Sequence, residues 1–236
     1  RHTHTKEICK VNQPVNLTDQ WQTITFAIPD TGGALIDQVG IVIHSDSPLT
    51  YRAFGKIYLD EFHISGTPSY SIDFAKQAVE FKSVTPFAHH RGEWSLIDGG
   101  MQMDSQQECA SFTGHYYMED AVIETTLTPI AGKHHGILFR AEGIERYYYA
   151  GFDGDNTVSI TLHDFGVTCL ASTSFKWEYD KSYNIKIVCQ GAGIELHMND
   201  ELVLSAENTR YTHGMIGFCA KDGGKCHYGN MKVNMK

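Results

Sequence analysis
The stretch HHGILFRAEGIERYYYAGFDGDNTVSI, residues 134–160, decides the fold. It holds two strand-length runs rich in apolar and aromatic residues, Gly136–Ala141 and Tyr147–Phe152, and the start of a third that continues from Val158 to His163. The runs are separated by Glu142-Gly143-Ile144-Glu145 and by Asp153-Gly154-Asp155-Asn156, segments whose glycines and Asx residues suit tight turns. Working outward, the same signal recurs at Tyr70–Phe74, Trp94–Ile97, Gly100–Met103, Ala121–Leu127, Tyr183–Cys189, Ile194–Met198, Leu202–Ser205, Gly214–Ala220 and Met231–Met235. Few windows offer helical spacing over eleven residues or more. Many short strands with regular turns specify two antiparallel sheets packed face to face. Asn199-Asp200-Glu201 reads as a hairpin turn, because Asn and Asp tolerate left-handed backbone.

The first third of the chain also alternates. Ile24, Phe26 and Ile28 form one strand before the turn Pro29–Gly33, Val39, Ile41 and Ile43 a second, and residues 54–65 a third, with a fourth in residues 1–8. Gly66-Thr67-Pro68 ends the ladder, since proline has no N–H and restricts the residue before it. The boundary falls there. Residues 1–67 hold about half the strands of a sandwich, so the expected fold is all-β: a partial sandwich over 1–67 and a complete one over 68–236. The open edge of the partial sandwich predicts a homodimer through residues 1–67.

Composition bounds the function. The 236 residues carry a net charge of −9 with 42% apolar side chains, enough for a core and unsuited to neutralising phosphates. Nucleic acid is therefore excluded as a partner, and a neutral ligand is favoured. Apolar runs such as Val39 to Ile43 fall far short of the roughly 18–20 residues of a membrane helix. Cys9, Cys109, Cys169, Cys189, Cys219 and Cys226 are scattered and read as reduced thiols, with Cys219 and Cys226 the alternative pair. Scattered thiols favour the cytoplasm and leave secretion open. The chain starts at Arg1, which points to a longer parent product.

Residues 134–160, together with FKWEYDKSYNIKIVCQGAGIELHMNDELVLSAEN (175–208) and THGMIGFCAKDGG (212–224), resemble concanavalin-like or laminin-G-like jelly-roll domains over nearly all of 69–236. Such domains are often appended to bacterial carbohydrate-active enzymes. WQTITFAIP (21–29), IDQVGIVIHSD (36–46) and GKIYLDEFHISGTP (55–68) look like the C-terminal half of a galactose-binding-like sandwich. The tandem is similar to the C-terminal region of some ADP-ribosylglycohydrolase-family proteins. Their helical, magnesium-binding catalytic domain has no counterpart here. The resemblance implies a non-catalytic carbohydrate-binding or substrate-positioning part of a larger glycoside-processing enzyme, with an upstream catalytic domain as partner. A structural module that binds no sugar, and a glycoside hydrolase acting through carboxylates, remain as alternatives.

Glycoside hydrolysis needs paired acids at a set separation. Glu142 with Glu145, and Glu119, Asp120 and Glu124, come nearest, though loop carboxylates are ordinarily just solvated. No Gly-x-Ser-x-Gly, His-Glu-x-x-His or phosphate-cradling motif occurs. His89-His90 and His134-His135 are neighbours, and neighbours on a strand point to opposite faces, which works against chelation of one metal. Asp153, Asp155 and Asn156 form an oxygen-rich turn that reads either as a plain turn or as a structural calcium loop.

Sugar recognition combines aromatic rings with directed hydrogen bonds. Arg140 ends one strand, and Tyr147 and Tyr149 share a face of the next. If all three share the concave face they make a binding platform, to which Trp94 and His134 are added as rim residues. The competing reading has Arg140 paired with a carboxylate and the tyrosines packing the sandwich. Trp177 reads as an edge plug and Trp21 as the anchor of the first domain's core.

Overall fold
The computed structural model describes residues 8–15, 18–29, 38–42, 58–66 and 69–236. From Ser69 the chain is almost entirely strand. The order is β1 (Ser69–Ile72), a 3-10 turn (Phe74–Lys76), β2 (Val79–Glu80), β3 (Ser83–Val84), β4 (Ala88–His90), β5 (Glu93–Ile97), β6 (Gly100–Ser105), β7 (Cys109–Thr113), β8 (Ala121–Ala131) and β9 (His135–Gly143). Next come β10 (Arg146–Phe152), β11 (Thr157–Asp164), β12 (Val167–Ser174), β13 (Tyr183–Gln190), β14 (Gly193–Met198), β15 (Glu201–Glu207), β16 (Met215–Ala220), β17 (Gly224–Tyr228) and β18 (Met231–Met235).

Two antiparallel sheets contain nearly all of these. A nine-stranded sheet runs β15-β14-β13-β8-β17-β6-β5, with β18 also on β8 and β1 on β18. A seven-stranded sheet runs β12-β11-β10-β9-β16-β7-β4. The length of β8 lets two strands share one of its edges, β18 pairing with Ala121–Glu124 and β17 with Leu127–Ala131.

The nine-stranded sheet follows the period of two. In β8, β13 and β14 every second residue is buried, so Ile123, Leu127, Ile185, Ile187, Ile194 and Leu196 meet Ile137, Phe139, Tyr148, Phe152, Ile160 and Phe218 of the other sheet. Each such side chain contributes about 1.5–3 kcal/mol by leaving water. The seven-stranded sheet departs from that pattern. Ala110, Phe112, Leu138, Ala141, Tyr147, Tyr149 and Cys219 form a second buried cluster on its other face. Strand β7 is buried along its whole length, and β9 and β10 nearly so, because both of their faces are covered.

The twelve expected strands of 69–236 are present, with ends moved by a residue or a few; Phe74 belongs to the 3-10 turn instead of β1. Six more form: β2, β3, β4, β7, β12 and β17. Strand β12 is a mostly exposed edge whose Cys169-Leu170-Ala171 run breaks the alternation, and β17 starts on glycines that read as a loop. Asn199 and Asp200 take φ of 51° and 70°, the left-handed pair of a two-residue hairpin turn between Met198 and Glu201.

Residues 1–67 differ from expectation where they are described. No described residue there lies in a strand, and Trp21, Ile24, Phe26 and Ile28 are exposed, so Trp21 anchors no core. An alternating strand is held by a neighbour on each edge and a layer on its apolar face, and among the described residues none pairs with or covers these side chains. The expected strand in residues 1–8, the turn at 29–33, the strand ends at 43 and 54–57, and the break at 67–68 lie wholly or partly outside the described residues.

Candidate functional site
Three consecutive tyrosines on β10 define the site. Tyr148 points between the sheets, where its ring stacks on Phe139 at 5.6 Å and its hydroxyl donates to Asn208 Oδ1 at 2.6 Å and accepts from the Tyr211 N–H at 3.1 Å. Tyr147 and Tyr149 point to the outer face of the seven-stranded sheet. Tyr149 lies down on Gly136, where a Cβ would come within 2.7 Å of the ring, and its hydroxyl donates to the Phe152 carbonyl. Lys221 Nζ sits 4.2 Å from the centre of the ring, a cation–π contact.

Strand β11 supplies the polar half. Val158 and Ile160 go to the core, so Ser159, Thr161 and His163 stand on the outer face beside β10. The register pairs Gly151 with Ser159, Tyr149 with Thr161 and Tyr147 with His163. Tyr147 stacks on the His163 imidazole at 4.3 Å. Ser159 donates to Asp153 Oδ2 at 2.6 Å, and Lys221 Nζ donates to Asp153 Oδ1 at 3.1 Å. His134 closes this end, with Nδ1 2.6 Å from Asp222 Oδ2 and Nε2 3.7 Å from Asp153 Oδ1.

Two atoms of this row have no hydrogen-bond partner. Thr161 Oγ1 and His163 Nε2 are buried and unpaired, on residues only 2% and 7% exposed. Such groups are uncommon and cost about 1–3 kcal/mol each. Burial, aided by Lys221, lowers the His163 pKa to about 4, so the ring is neutral. Burial raises the Asp153 carboxyl, but the Ser159 hydroxyl and Lys221 outweigh it and hold the group below its ordinary value. Burial also pushes the Tyr147 and Tyr149 phenols upward, so both stay protonated.

The other expected residues lie elsewhere. Arg140 does not share the face of Tyr147 and Tyr149. Its φ of 47° sits where the pairing of β9 slips, and this bulge turns the side chain toward the other sheet. There Nη2 donates to Asp120 Oδ1 at 3.0 Å and to the Gly191 carbonyl at 2.8 Å, and the residue is 2% exposed. Trp94 is not on a rim: it is buried, stacks on His89 at 4.9 Å, and donates from Nε1 to the Arg91 carbonyl at 2.9 Å. Trp177 packs on Phe152 at the sandwich edge, as expected.

The oxygen-rich turn does not fit calcium. Asp153 is engaged by Ser159 and Lys221, Asp155 pairs with Lys133 at 2.6 Å, and Asn156 takes the left-handed φ of 52°. Among the described residues no three acidic, histidine or cysteine side chains converge on one point. The carboxylates considered for hydrolysis are dispersed as well. Glu124 stands on the partly covered face of β8 in the nine-stranded sheet, Asp120 is tied to Arg140, and Glu142 pairs with Arg146. Cys219 and Cys226 belong to different sheets, in β16 and β17.

Ser159, Thr161, His163 and Lys221 went unread in the sequence. The signal was present in TVSITLHD (157–164), whose alternation puts the three polar residues on one face. Lys221 lies just past a strand and gives no such sign.

This architecture is a β-sandwich of two antiparallel sheets. No protein-family model and no curated protein matches the sequence. Among solved structures it is similar to the carbohydrate binding module CBM66 from Bacillus subtilis, at 19% identity over 64% of this chain and 96% of that one, with a TM-score of 0.59. It is also similar to a Bacillus subtilis protein of unknown function with a galectin-like fold, at 14% identity over 64% of this chain and 89% of that one, TM-score 0.55. The Ca2+-bound exoplasmic/lumenal domain of VIP36 is similar at 12% identity, covering 70% of this chain and 90% of its own, TM-score 0.52. At these identities the likeness establishes the fold.

Proposed function
We propose that residues 69–236 form a non-catalytic carbohydrate-binding module that holds a neutral glycan along β10 and β11 on the outer face of the seven-stranded sheet. The observation that carries this reading is the pair of unpartnered atoms, Thr161 Oγ1 and His163 Nε2, set in a row against two tyrosine rings. A sugar hydroxyl both donates and accepts, so it completes the threonine hydroxyl and either tautomer of the neutral imidazole. Asp153, Lys221 and His134 offer charge-assisted bonds at one end of the row. Lys221 lies over Tyr149, and a sugar reaches the row by displacing that side chain, a rotamer change of the kind common on binding. The net charge of −9 suits a neutral ligand. The solved neighbour described as a carbohydrate binding module lends support at the level of fold.

The setting we favour is beside the catalytic domain of a larger glycoside-processing enzyme, on the sequence likeness of residues 55–68 and of the sandwich that succeeds them. Affinity electrophoresis against fructans, arabinans, xylans, mannans and galactans tests the binding itself. Retention of the wild type by at least one polymer, weakened about tenfold in His163→Ala and in Thr161→Val with unchanged folding, is the expected result. No retention by any of them would leave a structural module as the better description.

A further inference from the structure
We infer that Tyr116, Tyr117 and His213 form a second sugar-stacking subsite at the opposite end of the seven-stranded sheet from Asp153, Lys221 and His134, so that the module grips the length of a glycan chain and not only its end. The inference rests on the carbohydrate-binding reading. Tyr116 and Tyr117 lie in the loop between β7 and β8, and His213 in the loop before β16. The ring of Tyr116 stands edge-on to Tyr117 at 5.3 Å and to His213 at 4.8 Å, while Tyr117 and His213 are within 16° of parallel at 6.4 Å.

These rings are displayed and not tucked away: Tyr117 is 75% exposed and Tyr116 42%. The loop that carries them is pinned. Met118 is buried, its carbonyl accepts from the Gly214 N–H at 2.9 Å, and its N–H donates to the His115 carbonyl at 3.3 Å. The Tyr117 N–H donates to His115 Nδ1 at 3.2 Å. A rigid loop holding two tyrosines open to water has stacking surface ready at little ordering cost. Directed polar groups adjoin it: Glu142 Oε1 lies 4.0 Å from His213 Nε2, and Glu142 Oε2 3.5 Å from Arg146 Nη1.

The subsite is continuous with the outer face. Met215, two residues past His213, packs on the cluster that contains Tyr147 and Tyr149. Strand β10 runs from Arg146 at this end to Phe152 beside Asp153 at the other, and its seven residues span about 20 Å. A single sugar ring cannot bridge that distance, whereas an oligosaccharide can.

The test uses the full chain, the polysaccharide that retains it most strongly, and the ladder of oligosaccharides cut from that polymer, measured by isothermal titration. Wild-type affinity is expected to rise about tenfold from the disaccharide to the longest oligosaccharide. In Tyr117→Ala and Tyr116→Ala that gain is lost while disaccharide affinity stays at the wild-type value. Tyr117→Phe keeps the gain, and Thr161→Val lowers affinity at every length. Matching thermal unfolding of the tyrosine variants establishes that the loop is the only thing changed. Tyrosine variants that bind every length like the wild type, or that weaken short and long ligands equally, would overturn the second subsite and leave the carbohydrate reading standing. A wild type that binds no polysaccharide would bring down both.

Discussion

The seven-stranded sheet has two buried faces of different construction. Toward the nine-stranded sheet it presents Ile137, Phe139, Tyr148, Ala150, Phe152, Val158 and Ile160, and the Tyr148 hydroxyl is paired. Toward the outside it presents Tyr147 and Tyr149 beside Ser159, Thr161 and His163, with two polar atoms left unpaired. Both faces exclude water, so burial alone does not separate a core from a site. The inner side also leaves buried polar atoms unpaired, His135 Nδ1, Arg140 Nε and Tyr228 Oη on β9 and β17, so the bare presence of such atoms does not separate the faces either. The separation lies in arrangement: Thr161 Oγ1 and His163 Nε2 stand two residues apart on β11 beside two tyrosine rings, a row that a partner can use.

The comparison predicts substitutions that behave in opposite ways on the two faces. Phe139→Ala opens a cavity on the inner face and should cost about 3–5 kcal/mol in urea-induced unfolding. Arg140→Met takes the guanidinium from the Gly191 carbonyl and leaves Asp120 with only the Gly191 N–H, and should cost about 3 kcal/mol, with glycan affinity unchanged in the folded fraction. Loss of affinity there without loss of stability would return Arg140 to the ligand.

Acid strains both faces together. His89 and His135 on the inner side and His163 on the outer are held near pKa 4 by burial, against 6.5 when unfolded. His89 also accepts from the Val84 N–H at 2.8 Å, a bond that its protonated form cannot make. The unfolded chain therefore takes up protons first as pH falls. The stabilisation is complete above about pH 6.5 and is lost on the way down to pH 4. Between pH 6.5 and 5.5 it should fall by about 2 kcal/mol, allowing for residual solvent at His89 and His163. A melting temperature that is flat over this interval would show that the three rings are wetter than their packing implies.

The smallest effect is the most discriminating. Thr161→Val removes an unpaired hydroxyl at nearly constant volume, so it should stabilise the protein by about 1 kcal/mol while weakening glycan binding. Opposite signs in unfolding and titration would mark the outer face as a site; the same sign in both would make it core.

The sequence by itself determined the sandwich. Short runs of β-forming residues, broken by Gly, Asn and Asp at turn positions, leave a chain of this kind few alternatives to packed antiparallel sheets, and the left-handed Asn199-Asp200 pair was legible, although Glu201, read with the turn, opens β15. It also put Tyr147 and Tyr149 on one face, since side-chain alternation is a local property of a strand. Tertiary structure alone decided the rest. A bulge at Arg140 reverses which sheet that side chain serves, and bulges depend on the pairing of neighbours and not on the strand itself. Residues distant in the chain, Asp153, Lys221 and His134, or Tyr117 and His213, become neighbours only when strand order is fixed. The residues 1–67 that are described alternate as strands do yet lie exposed, because a pattern states which side of a strand seeks cover and not whether cover exists.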